Sequence, residues 1–331
     1  MLKGDLRLER WKGPVCLFFA FTLAGTSVIA ARLVSGKLGA FTIAAASLSF
    51  ALLFLLPAGG KKLMESLRAM PAKDLLFLVL QAVFGIFLFR IFLLYGLLFT
   101  SAGEAGILTG ATPAITALLA MALLKEPANK KKLAGISATV GGILMIQGLV
   151  NSGNDFTWEH WGGNMLVLCA AASESAFNIF SRVSAINTAP DHRRPVGPLV
   201  QTTLVAAIAL LFCLIPAMFE SPWQRLAAIG LTEWLALLWY GLFVTALAFV
   251  FWYAGIKRCG AFTAAAFSGM VPFTSLLLSV FLLGERAGWR QWSGGVLVIL
   301  GMALIGTGDI PDGAPLSVSG PGHSSQPSHR A

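Results

Sequence analysis

Apolar residues run along the chain in long blocks broken by short polar connections. The blocks fall at about 14–34, 38–57, 75–99, 103–124, 133–150, 162–182, 198–219, 232–255, 260–283 and 291–308. Roughly 20 apolar residues in a helix cross a hydrocarbon core about 30 Å thick, and the blocks are close to that length. Leu, Ala, Phe, Val and Gly dominate them, with no period-2 alternation, so the pattern predicts helices and not a barrel. The expected fold class is an all-α polytopic membrane protein with ten transmembrane helices. Beyond Asp309 the chain turns Pro/Gly/Ser-rich, and 309–331 reads as a disordered cytoplasmic tail. The first block has a basic flank (Lys3, Arg7, Arg10, Lys12) and small residues at Ala30–Ala31, as secretory signals do. A counterpart of this block in the second half argues that it stays.

Composition points the same way. Of 331 residues, 56% are apolar and 12% charged, about half the charge of a soluble domain. The mean hydropathy is +0.78. A net charge of +9 suggests nucleic acid at first sight. The basic residues lie in short loops between apolar runs and not on one face, which excludes that reading. Cys16, Cys169, Cys213 and Cys259 show no CxxC spacing, so neither a disulfide framework nor a zinc site is indicated. His160, His192, His323 and His329 lie in loops, at span edges or in the tail, and no span contains an Asp. Hydrolase and metalloprotease chemistry therefore lack their parts, and no cofactor is called for.

Lys and Arg also orient the chain. With the N-terminus inside, the inner segments carry 18 and the outer loops four (Lys37, Arg225, Arg286, Arg290), with Arg32 and Arg90 inside spans. This bias places both termini in the cytoplasm of a cell with the protein in its plasma (inner) membrane. A shift of 159 residues lays 102–148 on 261–307 with 13 identities in 47 positions. Gly110/Gly269, Pro113/Pro272, Glu126/Glu285, Gly135/Gly294 and Gly142/Gly301 coincide, and Gly96/Gly255 extends the match. A looser shift of 150 pairs Gly13 with Gly163 and Arg32 with Arg182. Two five-helix halves follow, 1–150 and 160–308. Five is odd, so the halves enter the membrane in opposite senses, an arrangement suited to alternating access around one midplane site.

The duplicated pattern is Pro113, Leu123-Leu124, Glu126, Gly135, Gly142, and again Pro272, Leu282-Leu283-Gly284-Glu285, Gly294, Gly301. It resembles the EamA domain of the drug/metabolite transporter superfamily, in two tandem copies that cover nearly the whole chain. The resemblance implies a ten-helix transporter with a substrate cavity lined by helices 1–4 and 6–9, and with helices 5 and 10 as peripheral packing elements. The chain departs from the family in having Lys125 where a Gly precedes the first Glu, and in lacking a Trp in its first helix.

Several residues are candidates for function. Pro113 and Pro272 lie mid-block and free backbone carbonyls, as static kinks or as hinges. Glu126 and Glu285 end helices 4 and 9, and their expected role is structural, capping helices 5 and 10, with ion coupling as the alternative. Gly135, Gly142, Gly294, Gly301 and Gly308 form small-residue stripes that suit packing within one chain or a homodimer through helices 5 or 10. Arg90 and Glu174 are intramembrane charges that must face protein or water. Counting from the span ends at 1.5 Å per residue separates them by about 10 Å of depth, and pairs Arg90 more readily with Glu104. Glu174, with Asn178 one turn on, is expected to carry a proton or meet a cationic substrate, or else to be a protonated structural group. Trp252 and Tyr253 are weaker cavity candidates beside Trp239 and Tyr240. The function expected is a secondary transporter of a small-molecule substrate in the lipid bilayer, with protons as a coupling partner. A channel-like facilitator or a membrane enzyme is the competing class; a channel usually shows a polar filter, and none is visible.

Overall fold

The computed structural model describes residues 2–123, 129–146, 158–188, 197–256, 267 and 270–307. Glu126, Gly308 and the tail 309–331 lie outside the described residues. Within them every regular element is a helix, joined by one isolated bridge between Ser35 and Leu38.

In chain order the helices are α1 (Leu2–Gly25), α2 (Ser27–Val34), α3 (Ala40–Ala69), α4 (Ala72–Ala82), α5 (Phe89–Gly96), α6 (Ala102–Thr109), α7 (Thr112–Leu123) and α8 (Lys130–Ile146). They continue as α9 (Trp158–Thr188), α10 (Pro198–Met218), α11 (Pro222–Ala228), α12 (Leu231–Trp239), α13 (Ala248–Ile256), α14 (Met270–Leu283) and α15 (Trp289–Thr307). A π-helical segment, Val83–Leu88, joins α4 to α5, and a second, Tyr240–Leu247, joins α12 to α13.

Six runs are long and apolar enough to cross a membrane: Lys12–Val34, Ala40–Gly60, Ala72–Gly96, Ala102–Leu123, Pro198–Met218 and Leu231–Gly255. They correspond to six of the ten expected spans. The other four expected spans contain α8, α9, α14 and α15. Of these, α8 has only 17 residues and opens on three lysines. The 31-residue α9 carries Glu159, His160, Asn164, Glu174, Asn178 and Arg182, which dilute its apolar character. The 14 residues of α14 follow a stretch outside the described residues.

Helices pair across the chain. α3 packs on α10, α1 on α13, α5 on α9, α6 on α14, α7 on α9, and α8 on α15. The core fills two large clusters. One gathers Val28, Ile43, Leu93, Leu97, Leu108, Leu237 and Tyr240; the other gathers Leu48, Leu55, Leu204 and Cys213. The α8–α15 contact explains the glycine stripes. A Cβ on Gly142 would stand 2.6 Å from the Gly294 carbonyl oxygen, and one on Gly135 would stand 2.7 Å from that of Gly301. Gly135, Gly142, Gly294 and Gly301 are thus consumed by backbone-to-backbone packing inside one chain. These four glycines are therefore not free for the homodimer contact that was the alternative expected from sequence.

Candidate functional site

Pro113 organises the first polar assembly. Having no N–H, it leaves the Thr109 carbonyl without its helical partner. The helix does not bend around this defect. It breaks at Gly110–Ala111, between α6 and α7, so Pro113 stands in the first turn of a new helix. Pro272 lies in α14, whose described part begins at Met270. The mid-helix kink expected at Pro113 is therefore corrected to a helix break, since a first turn needs no N–H from proline. The freed Thr109 carbonyl accepts from the Thr112 hydroxyl at 2.8 Å. The Thr112 carbonyl accepts from Ser175 Oγ of α9 at 3.0 Å.

Glu174, on α9 beside Ser175, lies 2.9 Å from Thr112 Oγ1 through Oε2. A threonine hydroxyl has one proton, and here it faces two acceptors. A Glu174 carboxyl that brings its own proton donates to Thr112 Oγ1 and resolves the conflict, so the site can hold a proton at a helix break. Asn178 reaches the same helix one turn further on, donating to Thr116 Oγ1 at 3.4 Å.

Arg90 forms the second assembly. It is 4% exposed. Its guanidinium donates to Ser47 Oγ of α3 at 2.6 Å and to Thr245 Oγ1 in the second π segment. Its Cζ stands 4.3 Å from the centre of the Tyr240 ring. Ser47 and Thr245 pass their own protons to the carbonyls of Ile43 and Tyr240, both at 2.8 Å, so each is free to accept from Arg90. Contacts of this kind offset an insertion cost of about 2.5–3.5 kcal/mol. They do not neutralise the charge.

The expected Arg90–Glu104 pair does not form, because each side chain is engaged elsewhere. The depth estimate also changes. A Cβ on Gly85 would abut the Phe177 ring, and one on Gly96 would abut Val167 and the Gly163 carbonyl. This antiparallel register sets Arg90 about two residues, or about 3 Å, from the level of Glu174. Counting from the inner end of a 25-residue run overstated Arg90's height, since such a run exceeds the bilayer. Direction separates the two charges: Glu174 faces α7, and Arg90 faces α3 and the Tyr240–Leu247 segment.

The third assembly laces one end of the bundle. Helix α14 closes on Gly284, whose φ of +65° suits a residue without Cβ, and Glu285 N donates back to the Ser279 carbonyl at 3.1 Å. That turn sends the Glu285 carboxylate across to the N-terminus of α6, where it accepts from Ala102 N and Gly103 N, each at 2.9 Å. Capping was the role expected of Glu285. The helix it caps is α6, in the other half of the chain, and not the helix that follows it. Glu220, after α10, does the same for α3, accepting from Thr42 N at 2.8 Å and Phe41 N at 3.3 Å. Lys37 pairs with Glu233, which also accepts from Gly230 N at 2.8 Å. Glu104 is 6% exposed and accepts from Gln291 Nε2 at 2.7 Å and Thr100 Oγ1 at 3.2 Å. It also lies 2.9 Å from His160 Nε2, while His160 Nδ1 is 3.2 Å from the Phe99 carbonyl. An imidazolium donates at both nitrogens and fits both acceptors. The hydrogen bond to Glu104 raises the His160 pKa above the ordinary histidine range, against the lowering effect of burial.

Trp252 and Tyr253 join an aromatic cluster. Trp252 lies 6.0 Å from Phe177 and 4.7 Å from Tyr253, centre to centre. The Tyr253 hydroxyl is buried with no partner among the described residues. Sequence reasoning missed Thr112, Ser47, Thr245, Glu220 and Gln291. Only Thr112 carried a signal, as a hydroxyl directly before Pro113. A cavity of about 410 Å³ opens between Ala58, Gly59 and Lys62 on α3 and Gly197 with the first turn of α10, at the end away from Glu285. It is remote from both intramembrane charges, and no site is assigned to it.

A polytopic helical bundle with a broken helix and buried charges inside it has the build of a membrane transporter. A model of the EamA-like transporter family matches residues 11–148 and again 161–307. The chain belongs to that family. It is 30% identical to the uncharacterized transporter YetK of Bacillus subtilis over 306 residues, covering 90% of this chain and 88% of that one. It is also 30% identical over 206 residues to a probable amino-acid metabolite efflux pump of Salmonella typhimurium, covering 61% and 67% of the two chains. With a probable terminal-alkyne amino-acid exporter of Streptantibioticus cattleyicolor it shares 26% identity over 236 residues, covering 71% and 74%. A solved crystal structure at 21% identity superposes with a TM-score of 0.58 over 88% of this chain and 95% of its own, a likeness of fold alone.

Proposed function

We propose that this protein is a secondary transporter working by alternating access, with two inverted five-helix halves, 1–150 and 160–308, and with Glu174 as a proton-carrying group. The observation that carries the reading is the pairing of helices. Under exchange of the halves, α3 with α10 maps onto itself, as do α6 with α14 and α8 with α15. The α1–α13 contact maps onto α9–α5. The two π segments, Val83–Leu88 and Tyr240–Leu247, also fall near the 159-residue shift. An exchange-symmetric contact set supports two conformations of similar energy, open to opposite sides. The carboxylate lacing then reads as the closed gate, on the outer face if the N-terminus is cytoplasmic.

The relatives named for amino-acid efflux support a small amino-acid-like solute as substrate. Reconstitution of the purified full chain into proteoliposomes tests the proposal. A carrier gives saturable flux that unlabelled solute on the far side accelerates. Flux that rises linearly with concentration, without such acceleration, marks a channel-like facilitator instead.

A further inference from the structure

The Arg90 guanidinium, the strongest base among the side chains, sits in the interior between α3, the Tyr240–Leu247 segment and Cys213 of α10. The ionisable groups that act on it are Tyr240 and Cys213, both ordinarily neutral, and it has no carboxylate partner among the described residues. A guanidinium has five N–H donors. Two are used, on Ser47 and Thr245, leaving three without an acceptor among the described residues. The Tyr240 hydroxyl, at the rim of the ring under Arg90, is also buried with no partner among the described residues. Donors thus outnumber acceptors in one buried place that carries one uncompensated positive charge. A structural ion pair would balance both; an anionic ligand would balance both only when bound.

The surroundings favour a ligand. The Val83–Leu88 π segment ends two residues before Arg90, and the other contains both Tyr240 and Thr245. Segments of this kind recur at functional sites, because the extra residue loosens the local hydrogen-bond ladder. Arg90 also bridges the two halves of the chain, so an anion bound to it touches both.

We propose that Arg90 and the Tyr240 hydroxyl form the subsite for the carboxylate of the transported solute. One guanidinium and one phenol match one carboxylate in charge and in bidentate geometry. A phosphate dianion would call for more cationic groups than the site holds. The proposal rests on the transporter reading, and binding and flux are therefore measured separately.

Thermal unfolding of the purified full chain is followed with L-leucine, L-phenylalanine, benzoate and phenylacetate, each against its carboxamide. Stabilisation by at least one carboxylate and not by its amide is expected. Tyr240→Phe, which deletes only the hydroxyl, weakens that carboxylate's apparent affinity about tenfold. Arg90→Gln abolishes the preference for acid over amide, and Arg90→Lys retains part of it. If Arg90→Gln does not fold, the wild-type acid-to-amide comparison and Tyr240→Phe still decide. The proposal is overturned if no carboxylate in the set is preferred to its amide, or if Tyr240→Phe and Arg90→Gln keep wild-type preference. Carboxylate binding without saturable flux in proteoliposomes leaves the subsite standing and removes the carrier reading.

Discussion

Replacing Glu285 by Ala removes the cap that one half of the chain places on the other. The carboxylate accepts from two backbone donors, Ala102 N and Gly103 N, both at 2.9 Å. Ala102 is fully buried, so its N–H has little water to turn to. Each charge-assisted bond is worth about 1.5–3 kcal/mol, and a lost N-cap typically costs about 0.5–2 kcal/mol. Glu285 is itself half-exposed, which keeps the net loss below the sum of two such bonds. About 2–3 kcal/mol is expected for Glu285→Ala. Glu285→Gln keeps one acceptor oxygen and loses the charge facing the helix N-terminus, at a cost of about 1–1.5 kcal/mol. Thermal unfolding of the purified protein in lipid nanodiscs reads both. At about 2 °C per kcal/mol the shifts are about 4–6 °C and 2–3 °C, in that order. Wild-type melting of Glu285→Ala refutes the capping assignment.

Glu174→Gln keeps the contact to Thr112 and removes the titrating proton; its expected result is normal expression with flux reduced about tenfold or more and no longer dependent on pH. Wild-type flux in that variant takes Glu174 out of the mechanism. Gly142→Ala drives a Cβ into the Gly294 carbonyl and should cost about 1–3 kcal/mol, whereas Gly141→Ala, with open space around it, should be neutral or slightly stabilising; the two melting temperatures check this. His160 has a folded-state pKa raised by Glu104, so its contribution to stability is complete below the unfolded value near 6.5 and disappears as pH rises through the folded value. Melting from pH 5 to 9 should show that loss in wild type and lack it in His160→Phe.

Much of this organisation is legible in the sequence because it is one-dimensional. Block length sets the spans, and the spacing of Gly110, Pro113, Glu285 and their counterparts sets the repeat. The pairing partners are another matter. Nothing local to Glu285 says that its carboxylate reaches Ala102, because the helix crossing that brings them together is a tertiary fact. The Arg90–Glu104 pair looked natural from sequence proximity and failed once Ser47, Thr245 and His160 entered from distant helices. Depth was misjudged for Arg90 because residue counting assumes a helix normal to the membrane and equal in length to its thickness. The π segments were invisible for a simpler reason: Val83–Leu88 and Tyr240–Leu247 are as apolar as the helices around them, and an extra residue per turn leaves no compositional mark.

Alternating access requires the laced end to open. Lys37 and Glu233 bridge the two halves there, and both can be replaced by cysteine in a background without the four native ones. A short bifunctional thiosulfonate then joins them, and a reductant cuts the link. The uncrosslinked double variant should transport in proteoliposomes. Complete crosslinking should stop the flux, and reduction should restore it. Undiminished flux through fully crosslinked protein would contradict alternating access in this chain.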